Sequence, residues 1–169
     1  MTSIEWRIRR VHPEVDASLW REIRLEGLRE APYAFASHID EWKDRPLRDF
    51  AAWLNRATHF VAVADGRAVG TIAWTQVGAS AGRHRGQVVG VYVRREGRGL
   101  GIGDALLASV ARHASKHVLQ LELGVAGDNA PAIALYKRNG YEEFGRLPRG
   151  YRHGDAFRDE VQMLRRLDT

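Results

Sequence analysis

The residues of this chain best suited to chemistry stand between Gly90 and Leu107, where Gly97, Gly99, Gly101 and Gly103 alternate with Arg98, Leu100 and Ile102. Glycine at every second position lets the backbone turn sharply and leaves no Cβ in the way of a ligand. Val89, Val91, Tyr92 and Val93 before the loop favour a strand, and Ala105, Leu106 and Leu107 after it favour a helix. Such a helix aims its unpaired N–H groups and the positive end of its dipole back at the loop, which makes an anion site suited to phosphate. A dinucleotide fingerprint is excluded, because Ile102 and Asp104 stand where G-x-G-x-x-G needs its third glycine. A P-loop is excluded too, since the loop has no lysine. Isolated glycines of this kind also suit a tight strand-to-helix turn with no ligand.

Other chemistry-bearing residues are fewer. His113 and His117 lie one helical turn apart, the spacing of a two-histidine metal site. No acidic residue stands between or beside them, so a helix C-terminus that favours cationic side chains accounts for them, and no metal is expected. The chain has no cysteine, which excludes disulfides, a thiol nucleophile and thiolate metal sites. Its net charge of +5 favours anionic partners. Arg83, His84, Arg85, Arg94, Arg95 and Arg98 flank the glycine loop, where a polyphosphate ligand explains them, and Arg146, Arg149, Arg152, His153 and Arg158 form a second cluster. Nucleic acid is not favoured, because the basic clusters lack aromatic interleaving or zinc spacing.

The elements that must position these residues follow from periodicity. A length of 169 residues with 44% hydrophobic content suits one domain, residues 1–169, with a core of its own. Trp6 to Val11 reads as a strand ended by His12-Pro13, and Ala17 to Leu28 as a helix with Leu19, Trp20, Ile23 and Leu28 inward. Asp44 to Ala57 reads as a second helix. Phe60 to Ala64 and Ala68 to Trp74 flank Asp65-Gly66, a hairpin signal. Gly78 to Gly86 reads as a mobile loop, and Gln87 to Val93 as the strand entering the glycine loop, with Gly90 marking a bulge. A helix over Gly103 to Lys116, a strand over Leu119 to Val125 and a helix capped by Asp128 or Asn129 that runs to Arg138 come next. Tyr141 to Leu147 and Phe157 to Leu167 are the last strands, joined by a basic loop. No targeting segment or membrane span is evident, so the expected location is cytoplasmic.

Arg98-x-x-Gly101-x-Gly103 resembles motif A of the GNAT superfamily of N-acetyltransferases. The stretch Asn129 to Tyr141, N-A-P-A-I-A-L-Y-K-R-N-G-Y, is similar to motif B of that superfamily, N-x-x-A-x-x-L-Y-x-x-x-G-F, with Tyr141 for the phenylalanine. The likeness runs from about Phe60 to the C-terminus. It implies an α/β GNAT fold: a mixed, mostly antiparallel central sheet of about seven strands, flanked by about four helices and splayed between the fourth and fifth strands.

The resemblance also implies roles. Backbone groups of Val91 and Val93 would hold the pantetheine and acetyl carbonyl of acetyl-CoA. Arg98, Gly99, Leu100, Gly101, Ile102, Gly103 and Asp104 would bind its pyrophosphate, and Asn129 would contact the cofactor. Tyr136 would protonate the leaving thiolate. Relatives carry a glutamate on the strand before the loop, and Gln87 to Val93 has no carboxylate, so Glu122 on the next strand is the nearest replacement base. Acceptor selection would fall to Leu28 to Trp42, with Glu30, Tyr33, Phe35 and Glu41, and to Leu147 to Phe157. Glu30 and Glu41 would pair with a cationic amine, whereas Arg149 and Arg152 would suit a carboxylate-bearing acceptor. The expected activity is acetyl transfer from acetyl-CoA to a primary amine of a small molecule, amino acid-like metabolite or peptide. A non-catalytic module binding CoA or acyl-CoA is the alternative. Apolar residues on the last strands could support a homodimer.

Overall fold

Among the described residues every strand pairing but one is antiparallel, and the exception opens the sheet. The computed structural model describes residues 4–168, so residues 1–3 and 169, the ends of the expected domain, lie outside it. Strands β1 (Arg7–Arg10), β2 (Thr58–Ala64), β3 (Arg67–Gln76), β4 (Arg85–Val93), β5 (Gln120–Ala126), β6 (Glu142–His153) and β7 (Ala156–Arg166) form one sheet in the order β1-β2-β3-β4-β5-β7-β6. Between β4 and β5 the pairing is parallel and joins only Arg85, Gly86 and Gln87 to Gln120, Leu121 and Glu122. Beyond these positions the two strands part, which is the splay that the resemblance implies.

Helices α1 (Pro13–Glu30), α2 (Leu47–Leu54), α3 (Ile102–Ala114) and α4 (Ala130–Arg138) cover the sheet. One core joins Trp20, Ile23 and Leu28 of α1 to Phe50 and Leu54 of α2 and to Tyr92 of β4. The other joins Leu106, Leu107 and Val110 of α3 to Ile72, Leu121, Val161 and Tyr136 of α4. Both faces of β3 are therefore covered, and Ala68 to Trp74 is continuously buried. At 25 cal/mol per Å² of buried apolar surface, each fully buried Leu or Phe here contributes roughly 1.5–3 kcal/mol. No helix among the described residues is long and apolar enough to cross a membrane.

Several boundaries differ from expectation for identifiable reasons. Pro13 starts α1 at N1, where its missing N–H costs nothing, so the helix begins four residues before Ala17. The second helix is shorter than Asp44 to Ala57, because Pro46 holds extended geometry at its N-cap. The stretch read as a mobile loop contains a 3-10 turn, Ser80–Gly82, and β4 already begins at Arg85. The basic loop between Leu147 and Phe157 is mostly strand: β6 and β7 meet at a Gly154-Asp155 turn, and an irregularity between Leu147 and Tyr151 absorbs Pro148, Arg149 and Gly150. At Asp65-Gly66 both residues have positive φ, 48° and 74°, as a tight primed hairpin turn requires. Gly90, with φ of 65°, sits at the register shift between β3 and β4, so the expected bulge is present.

Candidate active site

The parted strands open two cavities that meet. The larger, about 860 Å³, is floored by the glycine loop and the N-terminus of α3 and walled by α4. Gly101 is the N-cap of α3 with φ of 79°, a conformation that an L side chain rarely adopts, and no side chain caps the helix. The first N–H groups of α3 are thus without intrahelical partners, and the dipole adds its positive end. Arg98 and Arg138 line the same cavity. Arg98 Nε donates to the Val93 carbonyl at 3.1 Å, and Arg138 and Asn139 hold the Asp104 carboxylate at 2.7–2.9 Å. That clasp keeps Asp104 below the usual carboxylate range, chiefly through its bond to Arg138, and offsets the one acidic charge in the first turn of α3. The loop, helix end and two guanidinium groups fit a polyphosphate ligand.

The smaller cavity, about 360 Å³, lies toward α1. Trp20, Phe35 and Trp53 give it apolar walls, Arg24 and His59 supply one polar end, and Tyr151 and Glu160 supply another. Glu160 reaches across from β7 until a Cβ on Gly124 would lie 2.7 Å from its Oε1, so only glycine at 124 leaves the carboxylate this position. The Tyr151 hydroxyl is raised above the ordinary tyrosine range by burial, and next by the charge and hydrogen bond of Glu160. Burial pushes the Arg24 guanidinium down to about 10 and the His59 imidazole down to about 4. At neutral pH Arg24 is charged and His59 neutral.

Ala34, Val91, Gly124 and Tyr136 line both cavities and mark where they join. Tyr136 is 6% exposed, and burial alone raises its hydroxyl well above the ordinary value, so it stays protonated as a donor. The Asn129 side chain accepts from the Ala132 N–H at 3.3 Å, capping α4 and fixing the helix that carries Tyr136.

The structure brings together most of the residues singled out by sequence. Val91, Val93, Arg98, Gly99, Gly101, Ile102, Gly103, Asp104 and Asn129 line the larger cavity, whereas Leu100 is 39% exposed and does not. Phe35 lines the smaller cavity, but Tyr33 and Glu30 line the larger one instead. Glu41 lines neither, because its carboxylate accepts from the His38 N–H at 2.7 Å. Glu122 also lines neither. It sits at the closed end of the splay, where Arg85 at 3.2 Å and Gln120 at 2.7 Å hold its carboxylate. Arg149 and Arg152 stack on Phe157 in the β6–β7 hairpin, outside the smaller cavity. Trp74 Nε1 donates to His113 Nδ1 at 3.2 Å, which gives that histidine a packing partner, and no metal-binding cluster occurs among the described residues. Arg24, Arg138 and Glu160 went unrecognised. Each is one charge in an amphipathic pattern, and only the tertiary fold turns it toward a cavity.

A sequence model of the Acetyltransferase (GNAT) family matches residues 21–141. Among curated proteins, a mycothiol acetyltransferase of Saccharomonospora viridis is 40% identical over 98 residues, which cover 54% of this chain and 32% of that protein. The chain spans roughly a third to under a half of the length of the mycothiol acetyltransferases it matches. The ribosomal-protein-alanine N-acetyltransferase of Brucella melitensis superposes with a TM-score of 0.82 at 26% identity, over 95% of this chain and 99% of that one. A Salmonella typhimurium structure determined with its cofactor acetyl-CoA shares the fold, with a TM-score of 0.83 at 18% identity over 96% of this chain and 94% of that one.

Proposed function

This chain belongs to the acetyltransferase (GNAT) family, and from that premise we propose that it binds acetyl-CoA in the larger cavity and transfers the acetyl group to a primary amine in the smaller one. The observation that carries the proposal is the junction: Val91, Gly124 and Tyr136 belong to both cavities, so donor and acceptor meet without either having to leave. Direct attack in a ternary complex suits that layout.

Acetyl-CoA supplies an activated thioester carbonyl, and the chain supplies everything else. The unpaired N–H groups at the start of α3, with Arg98 and Arg138 beside them, hold the pyrophosphate, and a helix N-terminus adds about 0.3–2 kcal/mol for an anion. Beyond Gln87, β4 has no strand partner on its β5 side, so its backbone groups there are open to the pantetheine arm. The acceptor nitrogen must be neutral to attack, and Glu160, which lines the acceptor cavity, takes its proton directly or through water. The N–C bond forms and the C–S bond breaks; the departing thiolate takes a proton from Tyr136, and the proton shed by the acylated nitrogen passes to solvent, from which Tyr136 is reprotonated.

Tyr136→Phe keeps the ring packing and removes only the donor. We expect kcat to fall about 100-fold while acetyl-CoA affinity stays unchanged. Steady-state thiol release and a binding titration on the same preparation check this. An unaltered kcat would remove Tyr136 from the mechanism, and acetyl-CoA binding by the wild type without thiol release, across a broad amine library, would favour a non-catalytic module.

A further inference from the structure

The acceptor cavity carries an uncompensated cation. Arg24 is 7% exposed, its Nε has no hydrogen-bond partner, and no carboxylate pairs with its guanidinium among the described residues. Glu41 acts on it only through space. The guanidinium is packed in aromatic rings, 4.8 Å from the centroid of Phe35, 5.0 Å from Trp42 and 5.9 Å from Trp20. Cation–π contact compensates part of the lost hydration, but a guanidinium is a planar fork whose natural complement is a carboxylate. Beside it the His59 Nε2 is also buried without a partner. A buried charge with free donors is costly unless something completes it. Arg24 and His59 are residues of the cavity wall, so a ligand in the cavity can do so.

The opposite end of the cavity carries the opposite charge. Glu160 stands on β7 across the splay and lies against Gly124 at the transfer point. An acceptor whose amine is at Glu160 is therefore presented to the thioester, and its other end is directed at Arg24. Trp20 and Phe35, which stack on Arg24, and Trp53 give the same cavity its apolar lining.

We propose that the acceptor is an amino acid whose amine and carboxylate are separated by an apolar body, its carboxylate on Arg24 and His59 and its amine at Glu160. Arg24 is then a specificity-determining residue that selects amines bearing a free carboxylate. This rests on the acetyl-transfer reading above and narrows it.

The test is thiol release from acetyl-CoA with the wild-type protein and matched acceptors, each product confirmed by mass spectrometry. The acceptors are a series of ω-amino acids with increasing spacing between amine and carboxylate, the corresponding amides and methyl esters, the amines lacking the carboxyl group, and leucine, methionine and phenylalanine as controls whose two charged groups share one carbon. We expect at least one ω-amino acid to exceed its amide and ester by at least about 100-fold in kcat/KM, because an analogue without the carboxylate leaves the buried guanidinium unpaired. In Arg24→Gln that ratio collapses through a raised KM for the acid, while acetyl-CoA affinity is retained. Arg24→Lys, which keeps the charge without the fork, recovers part of the preference. Turnover of amides or simple amines as good as that of the acids overturns the amino acid assignment and leaves acetyl transfer standing. An unchanged ratio in Arg24→Gln does the same. Absence of turnover with every acceptor, or failure to bind acetyl-CoA, overturns the acetyl-transfer reading itself. Should the Arg24 variants not fold, the wild-type ratios decide alone.

Discussion

His59 and Arg24 occupy one buried corner, and the Arg24 charge bears on the imidazole. Burial first, and the Arg24 charge second, hold the imidazole at about 4, well below its value in an unfolded chain of about 6.5. The folded state therefore keeps His59 neutral. Its contribution to stability is fully present above pH 6.5 and is lost as the pH falls from there toward 4, by about 3 kcal/mol at most. Denaturant unfolding at pH 7 and pH 4.5 should show a smaller loss on acidification in His59→Gln than in the wild type. Equal losses would mean that some other group carries the acid sensitivity. At this scale the sequence was readable where function is local. The alternating glycines are legible from their spacing, and Tyr136 through the resemblance of its window to motif B. Arg24 reads as one of several charges on an amphipathic helix, and Glu160 as one polar position of a strand. Their positions against the cavity depend on packing between segments more than a hundred residues apart, which no local pattern records.

At the scale of elements, the parted strands do the positioning. Pairing of β4 with β5 stops after Gln87 and Glu122, so Gly124 faces the opening and admits the Glu160 carboxylate. Gly124→Val would push that carboxylate aside. The atoms in the way are the far end of a flexible side chain, so the fold should survive with little change in melting temperature. The same substitution should lower kcat/KM at least about tenfold by filling the point where the cavities join. Thermal unfolding and steady-state kinetics on the purified variant check both halves, and normal kinetics would place the transfer point elsewhere. The order and type of strands and helices were legible from periodicity, and the Asp65-Gly66 turn and the Gly90 bulge were marked by their residues. The β6–β7 hairpin was not. Pro148 and Gly150 are turn residues, and here they occupy an irregularity within a long strand pair, while the actual turn is at Gly154-Asp155. Glu122 stands where β4 and β5 still pair, with its carboxylate held by Arg85 and outside both cavities, a placement that its position in the strand pattern does not reveal.

For the molecule as a whole, the two cores on opposite faces of the sheet divide the work. The core under α3 and α4 fixes the glycine loop and Tyr136, and the core under α1 and α2 fixes Trp20, Phe35 and Arg24. The cavities form where the sheet between the cores comes apart, so neither face holds a complete site. Motif B and the loop were visible in sequence because they belong to one core, whereas the acceptor cavity needs both. The measurement that tests this account most directly is calorimetric titration of acetyl-CoA into the wild type and into Gly101→Val. The substitution places a β-branched side chain at a positive φ where the loop must cradle phosphate. We predict saturable micromolar binding by the wild type and a loss of at least about tenfold in the variant, in line with the removal of one helix N-terminal anion contact. Binding that is absent in the wild type, or indifferent to Gly101→Val, would contradict the assignment of the loop as the pyrophosphate site.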